Sequence, residues 1–168
     1  MGRIRSRAAM AASIICFALL GPAANAAQEA KKLAGTWGLV SNVATDASGK
    51  KEEAYGPTPK GQAIFTSNGR YSIFISKPDL PKFAANNRVK GTADENKAVI
   101  GGLIAHVGSY TVDEKDKSFT LKVEAASFPN WNGTSQRRPF SVSGNELKWN
   151  TPQASAGGSN DLVWKRIK

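Results

Sequence analysis

Short segments that alternate apolar and polar residues, joined by turns too brief for a crossover, recur through most of this 168-residue chain. Phe119, Leu121, Val123 and Ala125 share one face, and Thr120, Lys122 and Glu124 the other, the period-two signature of a half-buried strand. Tyr71, Ile73 and Ile75 share a face in the same way. Asn68-Gly69 separates that run from the one before it. Asn-Gly between two alternating runs predicts a hairpin with a type I′ turn, which needs positive φ at both positions. Eight strands result: 33–40, 61–67, 70–76, 106–113, 118–125, 135–142, 145–151 and 161–167. Connections this short make them antiparallel. Eight antiparallel strands without a partner sheet close most simply into an up-and-down barrel, which removes exposed edges.

Two stretches interrupt the pattern. Residues 44–60 carry Gly49, Gly56, Pro57 and Pro59 and read as a long loop. Residues 77–105 contain Thr92-Ala93-Asp94-Glu95, a capping box with Thr92 as cap and Glu95 reaching back. Ala98, Val99, Leu103 and Ile104 supply an apolar stripe that Gly101 and Gly102 weaken. A short helical insertion near residues 78–105 is therefore expected, either a lid over the barrel or a plug at one end of the sheet.

The first 26 residues have a different character. Arg3, Arg5 and Arg7 precede the apolar run 8–20, and Ala24-Asn25-Ala26 offers small residues for cleavage. That is a secretory signal, too short for a membrane span. The expected organisation is a signal peptide at 1–26 and one domain at 27–168, periplasmic or secreted, without a membrane span. The single cysteine, Cys16, leaves with the signal, which removes thiolate metal sites and disulfides from the mature chain. Without the three signal arginines, 20 basic residues face 13 acidic ones. The basic residues are scattered among acids rather than gathered in a stripe with interleaved aromatics, so nucleic acid is not an expected partner.

Within the strands a few residues are out of character. Gln136, Arg138, Phe140 and Val142 share a face, so Arg138 points inward unless the phase slips at Pro139 and turns Arg137 in instead. A buried guanidinium without a partner is too costly to persist, so it pairs with an internal group or receives a carboxylate or phosphate from a ligand. His106, the only histidine, is in phase with Tyr110 and Val112. It is either a hydrogen-bonded structural residue or a general base, the nearest acids being Asp94 and Glu95. Tyr71 and Tyr110 offer inward hydroxyls on an apolar wall. Phe128, Asn130 and Trp131 lie on a loop, either lining a mouth or tucked under the sheet. Arg88 lies in the insertion, as a surface charge or a group that closes over an anion. One histidine and no cysteine make no zinc site, and no phosphate loop, HExxH or GxSxG element occurs.

Taken together, these residues resemble the bacterial secreted lipocalin-like domain proteins of the calycin group. The resemblance is carried by Leu33-Ala34-Gly35-Thr36-Trp37, Asn68-Gly69-Arg70-Tyr71, Phe128-Pro129-Asn130-Trp131, Arg138-Pro139-Phe140, Glu146-Leu147-Lys148-Trp149 and Val163-Trp164-Lys165-Arg166. It implies an all-β, eight-stranded lipocalin-like barrel, and no activity. It also implies that Arg166 covers Trp37 at the closed end through a structural cation–π contact. The lipocalin disulfide and second loop motif are missing, so retinoids and haem are not implied. The expected function is binding of a small hydrophobic or amphipathic, anionic molecule by a monomer, with no catalytic residue, cofactor or metal. Its site is drawn from Tyr71, Arg88, His106, Tyr110, Trp131 and Arg138. Two alternatives remain: an isomerase or cyclase with His106 as base and Tyr110 or Arg138 on an oxyanion, or a filled barrel with a structural or envelope role.

Overall fold

The computed structural model describes residues 30–167, so the expected signal peptide and Cys16 lie outside the described residues. The strands are β1 (Gly35–Thr45), β2 (Lys51–Glu53), β3 (Lys60–Phe65), β4 (Arg70–Ser76), β5 (Leu103–Asp113), β6 (Ser118–Ala126), β7 (Ser135–Ser143), β8 (Glu146–Thr151) and β9 (Ser159–Arg166). Each of β3 to β9 pairs antiparallel with its sequence neighbour, and β1 pairs with both β3 and β9. Eight strands thus close into the expected barrel. The ninth, β2, folds back on the far half of β1, inside the stretch expected to be loop. Its three exposed residues, Lys51-Glu52-Glu53, carry no apolar alternation to betray it.

Aromatic rings fill the lower barrel. Phe65 sits 5.2 Å from Tyr110, 5.5 Å from Phe119 and 6.1 Å from Trp149, each edge-on. Trp149 stacks on Trp164 at 4.6 Å. Edge-to-face and offset pairs are the arrangements the ring quadrupole favours. At the closed end Trp37 is fully buried, its Nε1 donates to Leu33 O (2.9 Å), and Arg166 Cζ lies 4.0 Å above its ring. Arg166 also donates to Ala34 O (2.8 Å) and Lys32 O (2.6 Å), tying the chain start to the last strand.

Several local expectations need correction. The β3–β4 turn is not type I′, because only Gly69 has positive φ (81°). Gly69 N–H donates to Thr66 O and Thr66 N–H to Arg70 O, the type I turn followed by a left-handed glycine of a longer hairpin loop. In β6 the inward phase ends at Val123. The β5–β6 register jumps from Gly108↔Val123 to Val107↔Ala125, so Glu124 is a bulge and Ala125 is exposed. The bulge needs a glycine opposite it, since a Cβ on Gly108 would stand 2.0 Å from Lys122 O. The displaced Glu124 pairs bidentately with Arg70.

β1 does not stop at Val40. The register shifts there, and the strand runs five residues further, turning Asn42 inward. In the insertion, α1 (Ala93–Gly101) begins with the expected capping box: Thr92 Oγ1 accepts from Glu95 N and Glu95 from Thr92 N. The expected apolar stripe does not form. Leu103 and Ile104 belong to β5, and α1 buries no residue.

The closed-end cap generates one prediction. Trp37→Ala is expected to cost about 3–5 kcal/mol, the range for a large buried aromatic. Chemical denaturation of both proteins checks it, and unchanged stability would reject the structural role.

Candidate functional site

Four connections open at the end of the barrel opposite Trp37: those after β1, before β5, between β6 and β7, and between β8 and β9. β7 carries Gln136 and Arg138 inward beneath this mouth, and the phase does not slip at Pro139. Arg138 is 3 % exposed, whereas Arg137 faces solvent and pairs with Asp116 (2.8 Å). The neighbour that holds Arg138 is on its own strand: Nη2 donates to Gln136 Oε1 at 2.7 Å. Its Nε is buried with no acceptor on the protein. Among the described residues no carboxylate is paired with it. Burial pushes its pKa down to about 10, which leaves it charged at neutral pH.

His106 faces it from β5. Tyr71 Oη and His106 Nδ1 share a hydrogen bond of 3.0 Å. Burial, and then the charge of Arg138, push the His106 pKa down to about 3, and burial pushes that of Tyr71 up to about 12. Both are therefore neutral beside one fixed cation. Neither nearby acid serves His106. The Glu95 carboxylate is occupied by the backbone N–H groups of Thr92 and Ala84, and Asp94 lies exposed in the first turn of α1.

Trp131 belongs to the short 3-10 turn Pro129–Trp131 and meets His106 edge-on at 5.4 Å, with Phe128 beyond it at 5.8 Å. Proline at the start of that turn and Trp131 N–H donating to Phe128 O hold the loop in place. Together they lead from the packed core toward the mouth.

A niche of about 30 Å³ lies among Arg138, His106, Trp131, Thr151, Asn42 and Asn160. Asn160 Nδ2 donates to Asn42 Oδ1 (2.8 Å) on its mouth side. That is room for one or two water molecules. Above it, a recess of about 520 Å³ shares Trp131, Arg138, Thr151, Ala154 and Ser155 with the niche. A second recess, of about 570 Å³, lies toward Tyr55, Ile100 and Ile104. The loop 152–158 borders both, and left-handed Gly157 and Gly158 shape its turn.

The structure thus brings Tyr71, His106, Trp131 and Arg138 together, and separates two expected members. Tyr110 is in the lower barrel, where its hydroxyl donates to Thr66 O (2.8 Å). Its phase is inward, but its height on the strand is wrong. Arg88 is exposed in the loop before α1 and lines neither the niche nor the two recesses. Asn42, Tyr55, Thr151 and Asn160 were not anticipated. Asn42 lies where β1 runs past its expected end, Tyr55 in the turn between β2 and β3, and the polar pair Thr151 and Asn160 ends two strands without an apolar cue. Among the described residues, no cluster of acids and histidine suits a metal ion, and no helix is long and apolar enough to cross a membrane.

A family model described as a lipocalin-like domain matches residues 34–167. A curated protein of Aspergillus oryzae, the 4'-hydroxy-3'-methoxypropiophenone carrier protein ppsC, is 26% identical over 106 residues, covering 57% of this chain and 96% of its own. Among solved structures, a lipocalin-like protein from Bacteroides uniformis superposes with a TM-score of 0.43 at 14% identity. The match covers 81% of this chain and 99% of that one.

The sole histidine makes the site visible to acid. The unfolded chain takes up its proton near the ordinary pKa of 6.5, but the fold resists until about 3. The stability this contributes is full above pH 6.5 and is lost as pH falls toward 3, at up to about 1.4 kcal/mol per pH unit. Urea denaturation between pH 7 and pH 5, above most carboxylate titration, is expected to show that slope. It should be missing in His106→Gln, whatever that variant's stability at pH 7. Equal slopes in the two proteins would refute a buried, neutral His106.

Proposed function

This chain belongs to the lipocalin-like domain family, and from that premise we propose that it is an exported carrier of a small, partly apolar, anionic molecule. The observation that carries the reading is Arg138: a buried guanidinium with one neutral side-chain acceptor and an Nε that the protein leaves unmatched. Leaving a buried charged donor unsatisfied is costly, and an anion entering from the mouth would relieve it. His106 and Tyr71 are neutral neighbours that add hydrogen bonding without competing for the charge. The carrier named in the A. oryzae relative supports binding as the family's use of this barrel. Export and a periplasmic or secreted location are supported by the basic, apolar and small-residue order of residues 3–26, and a monomer by a barrel that needs no partner strand.

The two other readings stand lower. An isomerase or cyclase needs a base, and a histidine whose pKa is held near 3 without a carboxylate neighbour is a weak one. A filled barrel with only a structural or envelope role is favoured by the aromatic packing of the lower half. It leaves the charge of Arg138 without a purpose.

Arg138→Met keeps the length of the side chain and removes its charge. It is expected to fold, with equal or higher stability, and to lose about 1.5–3 kcal/mol of affinity for a carboxylate ligand, the scale of a charged hydrogen bond. Native mass spectrometry of protein taken from its own cells should weigh a retained small molecule in the wild type and not in this variant. Equal retention and equal affinity would end the reading. N-terminal sequencing of the same native protein is expected to begin at Ala27, and an intact Met1 would reject export.

A further inference from the structure

We infer that the molecule is an aromatic monoanion of modest length, an aryl carboxylate rather than a long-chain fatty acid, seated head down with its ring in the mouth. The inference rests on the anion-binding reading of Arg138 and adds to it the class and size of the ligand.

Space sets the first limit. The niche at Arg138, about 30 Å³, matches a carboxylate and little more. Below it the barrel is closed by rings in contact: Phe65, Phe119 and Trp149 lie 5.5–6.1 Å apart, and Trp164 stacks on Trp149 at 4.6 Å. An alkyl tail has no tunnel into the lower barrel from this site; the space beside the niche is the recess of about 570 Å³ at Tyr55, Ile100 and Ile104, which Thr45, Asp46, Glu52 and Ser127 also line. Methylenes that run beyond these recesses would stay in water and forgo the roughly 0.8 kcal/mol that burial contributes.

The chemistry of the recess sets the second. The space of about 520 Å³ directly above Arg138 is walled by Trp131 and Phe128 on one side, with Gln136, Thr151, Gln153 and Ser155 among its other lining residues. Two rings and several amide and hydroxyl groups suit a flat ring with polar substituents better than a greasy chain. Trp131 shares both the niche and this recess, so a ring attached to the bound carboxylate by a short link comes within reach of the indole.

Charge sets the third. Arg138 is the one cationic group lining the niche, Arg137 at the edge of the recess is engaged by Asp116 (2.8 Å), and His106 and Tyr71 are neutral. One buried positive charge balances one negative charge. A phosphate dianion would leave its second charge buried and unmatched.

Calorimetric titration of the purified protein with two matched series tests this. One holds benzoate, cinnamate and 4-hydroxycinnamate; the other holds hexanoate, decanoate and hexadecanoate, with methyl cinnamate as neutral control. Cinnamates are expected to bind at least tenfold tighter than decanoate and at least tenfold tighter than methyl cinnamate. In the alkyl series affinity should stop rising beyond the length of the mouth. Trp131→Leu is expected to weaken the cinnamates at least fivefold and to leave decanoate within twofold.

Affinity that climbs steadily to hexadecanoate, with the acids still dependent on Arg138, would overturn the aromatic assignment and leave the anion site intact. Methyl cinnamate binding as tightly as cinnamate, or no carboxylate binding at all, would overturn the anion site itself.

Discussion

Pairing of β1 with β9 is the constraint from which the rest follows. Once the first and last strands share a ladder, every strand has two neighbours along most of its length and one set of side chains faces a common interior. That interior is too narrow at eight strands to stay open unless the inward residues are small. Here they are not. Phe65, Tyr110, Phe119, Trp149 and Trp164 occupy the lower half at contact distances, and Trp37 with Arg166 seals the bottom. Closure and filling are one event: rings that would be an aggregation hazard on an open sheet are consumed inside it.

Because the lower half is filled, whatever the barrel binds is confined to the top. The inward positions there change character from rings to Asn42, Thr151 and Asn160, with Arg138 and His106 between the two zones. A guanidinium at that boundary is buried without gaining a carboxylate. Its one acceptor is Gln136, two residues away on its own strand, which orients the plane but carries no charge. Burial keeps the Tyr71 phenol protonated against the pull of Arg138, and keeps the His106 imidazole neutral with the help of that same charge. The site is thus a single charge held in a low-dielectric wall, with aromatic residues between it and solvent.

Small irregularities aim these groups. The shift at Val40 turns Asn42 inward beneath the mouth. The Glu124 bulge, allowed by Gly108, changes which residue of β6 stands opposite His106, bringing Ala126 there instead of a neighbour in strict phase. The helix α1, expected to be amphipathic, instead buries nothing, because Leu103 and Ile104 are taken by β5. Strand and helix competed for the same apolar residues. The sheet buries Ile104 and half-buries Leu103, more than an isolated short helix can offer.

By itself, the sequence determined the all-β class, the eight barrel strands, the capping box at Thr92 and the inward face of Arg138, set by period-two alternation or by local hydrogen bonding, while the Trp37–Arg166 cap followed from the family resemblance. Only the tertiary structure decided which inward groups share a height. Tyr110 and His106 lie in phase on one strand, yet one hydroxyl meets Thr66 O near the bottom while the imidazole meets Tyr71 and Trp131 near the top. Phase fixes the face of a strand, whereas height depends on the stagger between strands and on bulges that no single segment encodes. For the same reason Asn42, Thr151 and Asn160 escaped notice: polar residues at strand ends become a site only when the closed barrel gathers them from three strands around one buried charge.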